Sequence, residues 1–157
     1  MSLASVVRVI FIYLLAVLVG TVLATIVQTQ VNVSDLQRTG IELSGGERMA
    51  MTGKDLLSFT PLMALLTAVA YLFAFPVAEL IGRILKPWRA VVYFLAGAVG
   101  IWVAFRVTDM AAPPPTFIAA TRDMPGTLAM MAMAGIGALL FALLTRPKTR
   151  RGLRVLG

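Results

Sequence analysis

There is no cysteine and no histidine among the 157 residues, and only seven residues are acidic. Without cysteine there is no disulfide, no thiolate nucleophile and no zinc site of the Cys/His type. Without histidine there is no imidazole for haem ligation or for acid–base work near neutral pH. Charge of either sign is scarce at 13% of residues, against roughly a quarter in ordinary soluble domains. Apolar side chains fill the chain instead: 59% of residues are hydrophobic and the mean hydropathy is +0.90. A water-soluble domain of this length cannot bury that much apolar surface, so lipid is its natural solvent.

Four apolar stretches carry this excess: residues 6–27, 56–80, 90–107 and 127–144. Each is about 18 to 25 residues long, the length a helix needs to cross a hydrocarbon layer roughly 30 Å thick. Backbone groups in lipid must bond to one another, so all four are expected to be helices. The first also resembles a signal peptide, with Arg8 as its basic region and Val22-Leu23-Ala24 as a cleavage site. Its apolar run is longer than a signal core, which favours a retained span. The expected fold is a single all-α membrane domain: a four-transmembrane-helix bundle with outer loops at 28–55 and 108–126 and a basic tail at 145–157.

Charge orients the spans. Arg8, the segment with Arg83, Lys86 and Arg89, and the tail with Arg146, Lys148, Arg150, Arg151 and Arg154 place nine basic residues on one side, opposed only by Glu79. The other side carries five basic and six acidic residues. The basic side is expected to be cytoplasmic, giving a multi-pass protein of the inner (plasma) membrane with both termini inside. Trp88 and Trp102, near opposite ends of the third span, suit the two interfaces.

Small residues recur at every fourth position in each span: Ala16, Gly20 and Ala24; Ala70, Ala74 and Ala78; Ala96, Gly100 and Ala104; Ala134, Ala138 and Ala142. Each trio falls on one helix face, where close backbone approach holds membrane helices together. Pro76 is expected to kink or end the second span, and Pro87 to mark the turn before the third.

The first outer loop is expected to hold one or two short surface helices. Ser34-Asp35-Leu36 reads as one start with Gly40 as its stop. Ser44 with Glu47 forms a capping box ahead of a second helix, and Thr52 with Asp55 another at the opening of the second span. Ile41 and Leu43 are compatible with a strand instead. Leu43-Ser44-Gly45-Gly46-Glu47-Arg48 resembles the signature of ABC-transporter ATPases, but the chain lacks a glycine-rich phosphate loop ending in Gly-Lys-Ser/Thr. The second outer loop pairs Pro113-Pro114-Pro115, stiff and extended, with the apolar Thr116-Phe117-Ile118-Ala119-Ala120. An apolar segment outside the spans is expected to fold back on the bundle mouth or dip into the interface.

Several residues are candidates for function. Glu79 is either an interfacial ion-pair partner of Arg83, four residues on in the favourable order, or a proton- or substrate-coupled site. Arg106 and Asp109, with Arg122, either snorkel to the headgroups or form an anion or lipid-headgroup contact. Gln28 and Gln30, with Asn32, either are solvated at a helix end or bond the second loop across the mouth. Arg146, Lys148, Arg150, Arg151 and Arg154 suit anionic lipid, at about 1 kcal/mol per basic residue near the surface. They lack the interleaved aromatics of a nucleic-acid site. Met130, Met131 and Met133, with Met110 and Met124, read as adaptable packing rather than a Cu(I) site.

Val27-Gln28-Thr29-Gln30 with Asn32, and Ile118-Ala119-Ala120-Thr121-Arg122, resemble segments of small uncharacterised four-helix inner-membrane proteins of proteobacteria. The resemblance implies that layout and brings no activity. The residues favour a non-catalytic accessory, assembly or scaffold subunit with no cofactor, in contact with membrane lipids and with a protein partner or further copies of itself. A small oligomeric transporter or channel is the alternative, followed by a lipid- or quinone-binding protein.

Overall fold

The computed structural model describes residues 3–40, 42, 44–111 and 118–146. Its elements are α1 (Leu3–Arg38), α2 (Gly45–Ser58), α3 (Thr60–Ile84), a 3₁₀ turn (Lys86–Trp88), α4 (Arg89–Ala111), a second 3₁₀ turn (Ala119–Thr121) and α5 (Met124–Leu144). No strand occurs among the described residues. Four helices, α1, α3, α4 and α5, are long and apolar enough to cross a membrane, so the expected four-helix all-α membrane bundle is the fold.

The bundle is a closed square. α1 packs on α5, α5 on α4 and α4 on α3; a lighter α1–α3 seam closes the ring, and the diagonals barely meet. Small residues fill the closest helix contacts, while many large apolar side chains face outward, as a water-soluble bundle does not allow. Ala16, Ala24, Ala78, Ala134 and Ala138 are fully buried, while Phe11 and Phe73 are 66% and 71% exposed. Such a surface is stable against acyl chains and not against water.

The small-residue trios of α1 and α5 lie wholly inside, as does most of that of α3. The α4 trio sits instead on the α3 seam, where a side chain on Gly100 would stand 3.2 Å from the Ala74 methyl. The inward small residue of α4 is Gly97, pressed against the Ala138 methyl of α5. Below these contacts lies an aromatic layer centred on Phe75, whose ring is 4.6 Å from Tyr71 and 4.4 Å from Phe141.

Two boundaries differ from the sequence reading. The first span does not stop near residue 27; α1 runs on through Ser34-Asp35-Leu36 as one helix of 36 residues. At 1.5 Å per residue that is about 54 Å, well beyond the hydrocarbon thickness. Ser34 starts no new helix, because its hydroxyl bonds back to the Gln30 carbonyl at 2.8 Å. Gly40 is the stop, at φ +87°. The Ser44–Glu47 capping box forms as expected. The second box does not, since the Thr52 hydroxyl bonds to the Arg48 carbonyl within α2. α2 therefore continues to Ser58, and the span proper opens at Thr60 with Pro61 in its first turn. α2 returns antiparallel beside the end of α1, where the Thr29 hydroxyl donates to Asp55 at 3.0 Å.

α3 does not end at Pro76 but continues to Ile84, and Pro87 lies in the turn before α4. Ile41 and Leu43, the proline run and Thr116-Phe117 lie outside the described residues.

Candidate functional site

Polar side chains inside an apolar bundle are costly, so their placement is informative. They gather at two places, one at each end of the aromatic layer.

The first is at the basic end. The α3–α4 hairpin turns over residues 85–88 and brings Glu79 opposite Arg89 and Tyr93. One Glu79 oxygen accepts from Arg83 at 3.3 Å. The other accepts from Arg89 Nη2 at 3.1 Å and from the Tyr93 hydroxyl at 2.9 Å. Arg89 then crosses to α5, donating to the Ala142 carbonyl at 2.7 Å and to Thr145 Oγ1 at 3.1 Å. Its guanidinium also lies 4.8 Å from the Tyr93 ring centroid. Three helices are thus tied by one arginine whose side chain is only 17% exposed. Arg8 of α1 reaches the same end, against the Leu144 carbonyl. Beside this network opens a cleft of about 600 Å³ lined by Glu79, Arg83, Lys86, Arg89, Thr145 and Arg146.

The second place is the α1–α3 seam, which runs from Asp55 towards the aromatic layer. Thr29 meets Asp55, and the Thr25 and Thr60 hydroxyls stand 3.5 Å apart. The antiparallel register that sets Thr25 against Thr60 and Gly20 against Thr67 brings Thr21 and Thr67 to one depth. Both of these hydroxyls are buried and have no hydrogen-bond partner among the described residues. Tyr71 lies next along the seam and donates to the Ala134 carbonyl of α5.

The sequence candidates divide accordingly. Glu79 and Arg83 form an ion pair, and Arg89 and Tyr93, which the sequence does not mark as partners of Glu79, complete the network. Gln28 bridges the mouth: its Oε1 accepts from the buried Ala120 amide at 2.9 Å. That bond holds the second loop down, with Ile118 and Ala120 both buried. Gln30 does not share in this; its side chain is exposed. Arg106 stacks over Trp102 at 5.6 Å, and no ion pair joins it to Asp109 among the described residues. Arg122 is exposed and makes no ion pair among the described residues. Arg146 lines the basic cleft, while Lys148, Arg150, Arg151 and Arg154 lie outside the described residues.

Met130 is fully buried, whereas Met110 and Met124 are 86% and 70% exposed, so the methionines do not converge on one point. No group of three or more acidic side chains placed to hold a metal occurs among the described residues. No protein-family model, no curated protein and no solved structure matches this chain.

Proposed function

We propose that the chain is a non-catalytic subunit of an inner-membrane complex, an accessory or assembly component. In this reading it meets its protein partner through the outer hairpin of α1 and α2. The carrying observation is the overhang of that hairpin. α2 has no buried residue, and its Met49 and Leu57 are 80% and 83% exposed outside the four spans. Amphipathic helices left uncovered at a membrane surface gain stability by covering that apolar face. The Glu79 network supports the same reading. Both of its oxygens are already committed to donors on two helices, as in a structural clamp rather than an open acid. The basic end lies in the cytoplasm by charge bias, in contact with anionic lipids of that leaflet.

Site-specific photo-crosslinking in native membranes tests this. A benzophenone side chain at Met49 is expected to give one reproducible protein adduct, lost when Leu57 is changed to Lys. A benzophenone at lipid-facing Leu72 is expected to give lipid adducts. Lipid adducts alone at both positions contradict the partner reading.

One observation favours a second reading as a transporter or channel. The Thr21 and Thr67 hydroxyls, without a hydrogen-bond partner among the described residues, continue a polar seam from Asp55 towards the bundle centre. If that seam carries polar solute, Thr21→Val with Thr67→Val abolishes flux into proteoliposomes. Equal flux in the parent and variant proteins, or none in either, excludes the seam as a path.

A further inference from the structure

The cleft at the basic end has a charge balance that the network does not use up. Four cations, Arg83, Lys86, Arg89 and Arg146, surround one acid, Glu79. Arg83 and Arg89 are held in place by Glu79, and Arg89 also by α5. The side chains of Lys86 and Arg146 make no hydrogen bond or ion pair among the described residues, so their charges stand uncompensated at the rim. Like charges gathered around a concave, partly desolvated surface focus their field on it and draw in an anion.

Depth then selects the kind of anion. Ile84 and Trp88 flank the cleft in sequence and are 83% and 61% exposed, an apolar collar expected at the level where headgroups begin. The volume of about 600 Å³ exceeds what a bare ion needs and accommodates a headgroup. Guanidinium forks match the oxygens of a phosphate. We propose that this cleft binds a phosphate group, carried by an anionic phospholipid of the leaflet at the basic end. The proposal rests on the anionic-lipid contact inferred above, and narrows it from the whole basic end to one site.

The two tryptophans of the chain allow a direct test. In a Trp102→Phe background, Trp88 is the sole fluorophore and adjoins the cleft in sequence. Its quenching is compared in vesicles of dibrominated phosphatidylglycerol and dibrominated phosphatidylcholine. The parent protein is expected to prefer the anionic lipid by about tenfold, from two uncompensated charges partly screened by salt. Lys86→Gln with Arg146→Gln is expected to bring that preference to about one, with the detergent-unfolding midpoint retained. Arg150→Gln, Arg151→Gln and Arg154→Gln together are expected to keep most of it.

Inorganic phosphate, added against chloride at equal ionic strength, separates the sources. Persistence of the preference identifies the lipid as the carrier; its loss identifies the free ion in the same cleft. If the cleft variant keeps the preference while the tail variant loses it, the cleft is overturned and the general lipid contact stands. If both variants keep it, the cleft is overturned. No preference in the parent protein overturns both.

Discussion

Alanine at Gly137 tests the packing that holds α1 to α5. Its Cβ would stand 2.7 Å from the Ala16 carbonyl oxygen and 2.9 Å from the Gly20 Cα. The Tyr71 hydroxyl of α3, 2.5 Å away, is a third obstacle and belongs to a side chain, but these two are α1 backbone, which no rotamer change relieves. Ordinary contact begins near 3.4 Å, and the helices must separate by about 0.5 to 0.7 Å to reach it. In lipid, that separation loses the dispersion contacts that close packing provides. Overpacking of this kind costs about 1 to 3 kcal/mol, and the better helix propensity of alanine returns up to about 1 kcal/mol. The net expectation is a loss of about 1 to 2 kcal/mol.

The same substitution at Gly53 of α2 meets nothing within 4 Å and is expected to stabilise by about 0.5 to 1 kcal/mol. Unfolding in mixed micelles by added dodecyl sulfate, followed by circular dichroism, measures both. A Gly137→Ala protein as stable as the parent would refute the packing argument.

Three further expectations concern polar contacts. Arg89→Met removes the donors to Glu79, Ala142 and Thr145, and the same assay should show a loss of about 1 to 2 kcal/mol, reduced because Glu79 remains within reach of water. Arg89→Lys should not restore it, since an ammonium lacks the fork that serves two helices; full rescue by lysine would contradict that assignment. Gln28→Ala leaves the buried Ala120 amide without its acceptor, at a cost of about 1 to 3 kcal/mol. Faster hydrogen exchange at Ala120 reads this out, and an unchanged rate speaks against the bridge. The Ser44 amide, and then the Ser44 hydroxyl, hold the Glu47 carboxyl below its ordinary pKa. Its contribution to the α2 cap is therefore present above the unfolded-state value and lost as pH falls through the lower folded value. Exchange at the Ser44 amide should accelerate across that acidic window in the parent protein and show no such step in Glu47→Ala.

Much of the fold is legible in the sequence, because a helix in lipid reports itself through length and hydropathy alone. The capping box at Ser44 and the stop at Gly40 were equally local. The overhang of α1 was harder to read. Gln28, Gln30, Asn32 and Ser34 look like a chain leaving the membrane, yet polarity ends a span without ending a helix. The small-residue stripes mark helix contacts in all four spans, but periodicity does not say which neighbour a face meets: those of α1 and α5 turn inward, while that of α4 meets α3 at Gly100.

The basic-end network was half visible. Glu79 and Arg83 lie four residues apart on one helix, a spacing that sequence exposes. Arg89 and Tyr93 reach Glu79 only because the turn at 85–88 folds α4 back on α3. The signal available was hairpin symmetry, since residues about equally far from a tight turn face one another at the same depth. Arg106 and Asp109 have a spacing compatible with an ion pair, but the Trp102 ring takes the guanidinium instead.

The proposed topology has four crossings in lipid, with Leu3 and Arg146 on the same, cytoplasmic side. The cysteine-free chain permits a clean measurement: single cysteines at Leu3, Gly46, Leu72, Val103, Arg122 and Arg146, challenged with an impermeant maleimide in sealed right-side-out vesicles. The expected result is labelling of Gly46→Cys and Arg122→Cys at once, of Leu3→Cys and Arg146→Cys only after the membrane is opened, and of Leu72→Cys and Val103→Cys in neither state. Labelling of Arg146→Cys in sealed vesicles, or of the two mid-span positions from water, would contradict it.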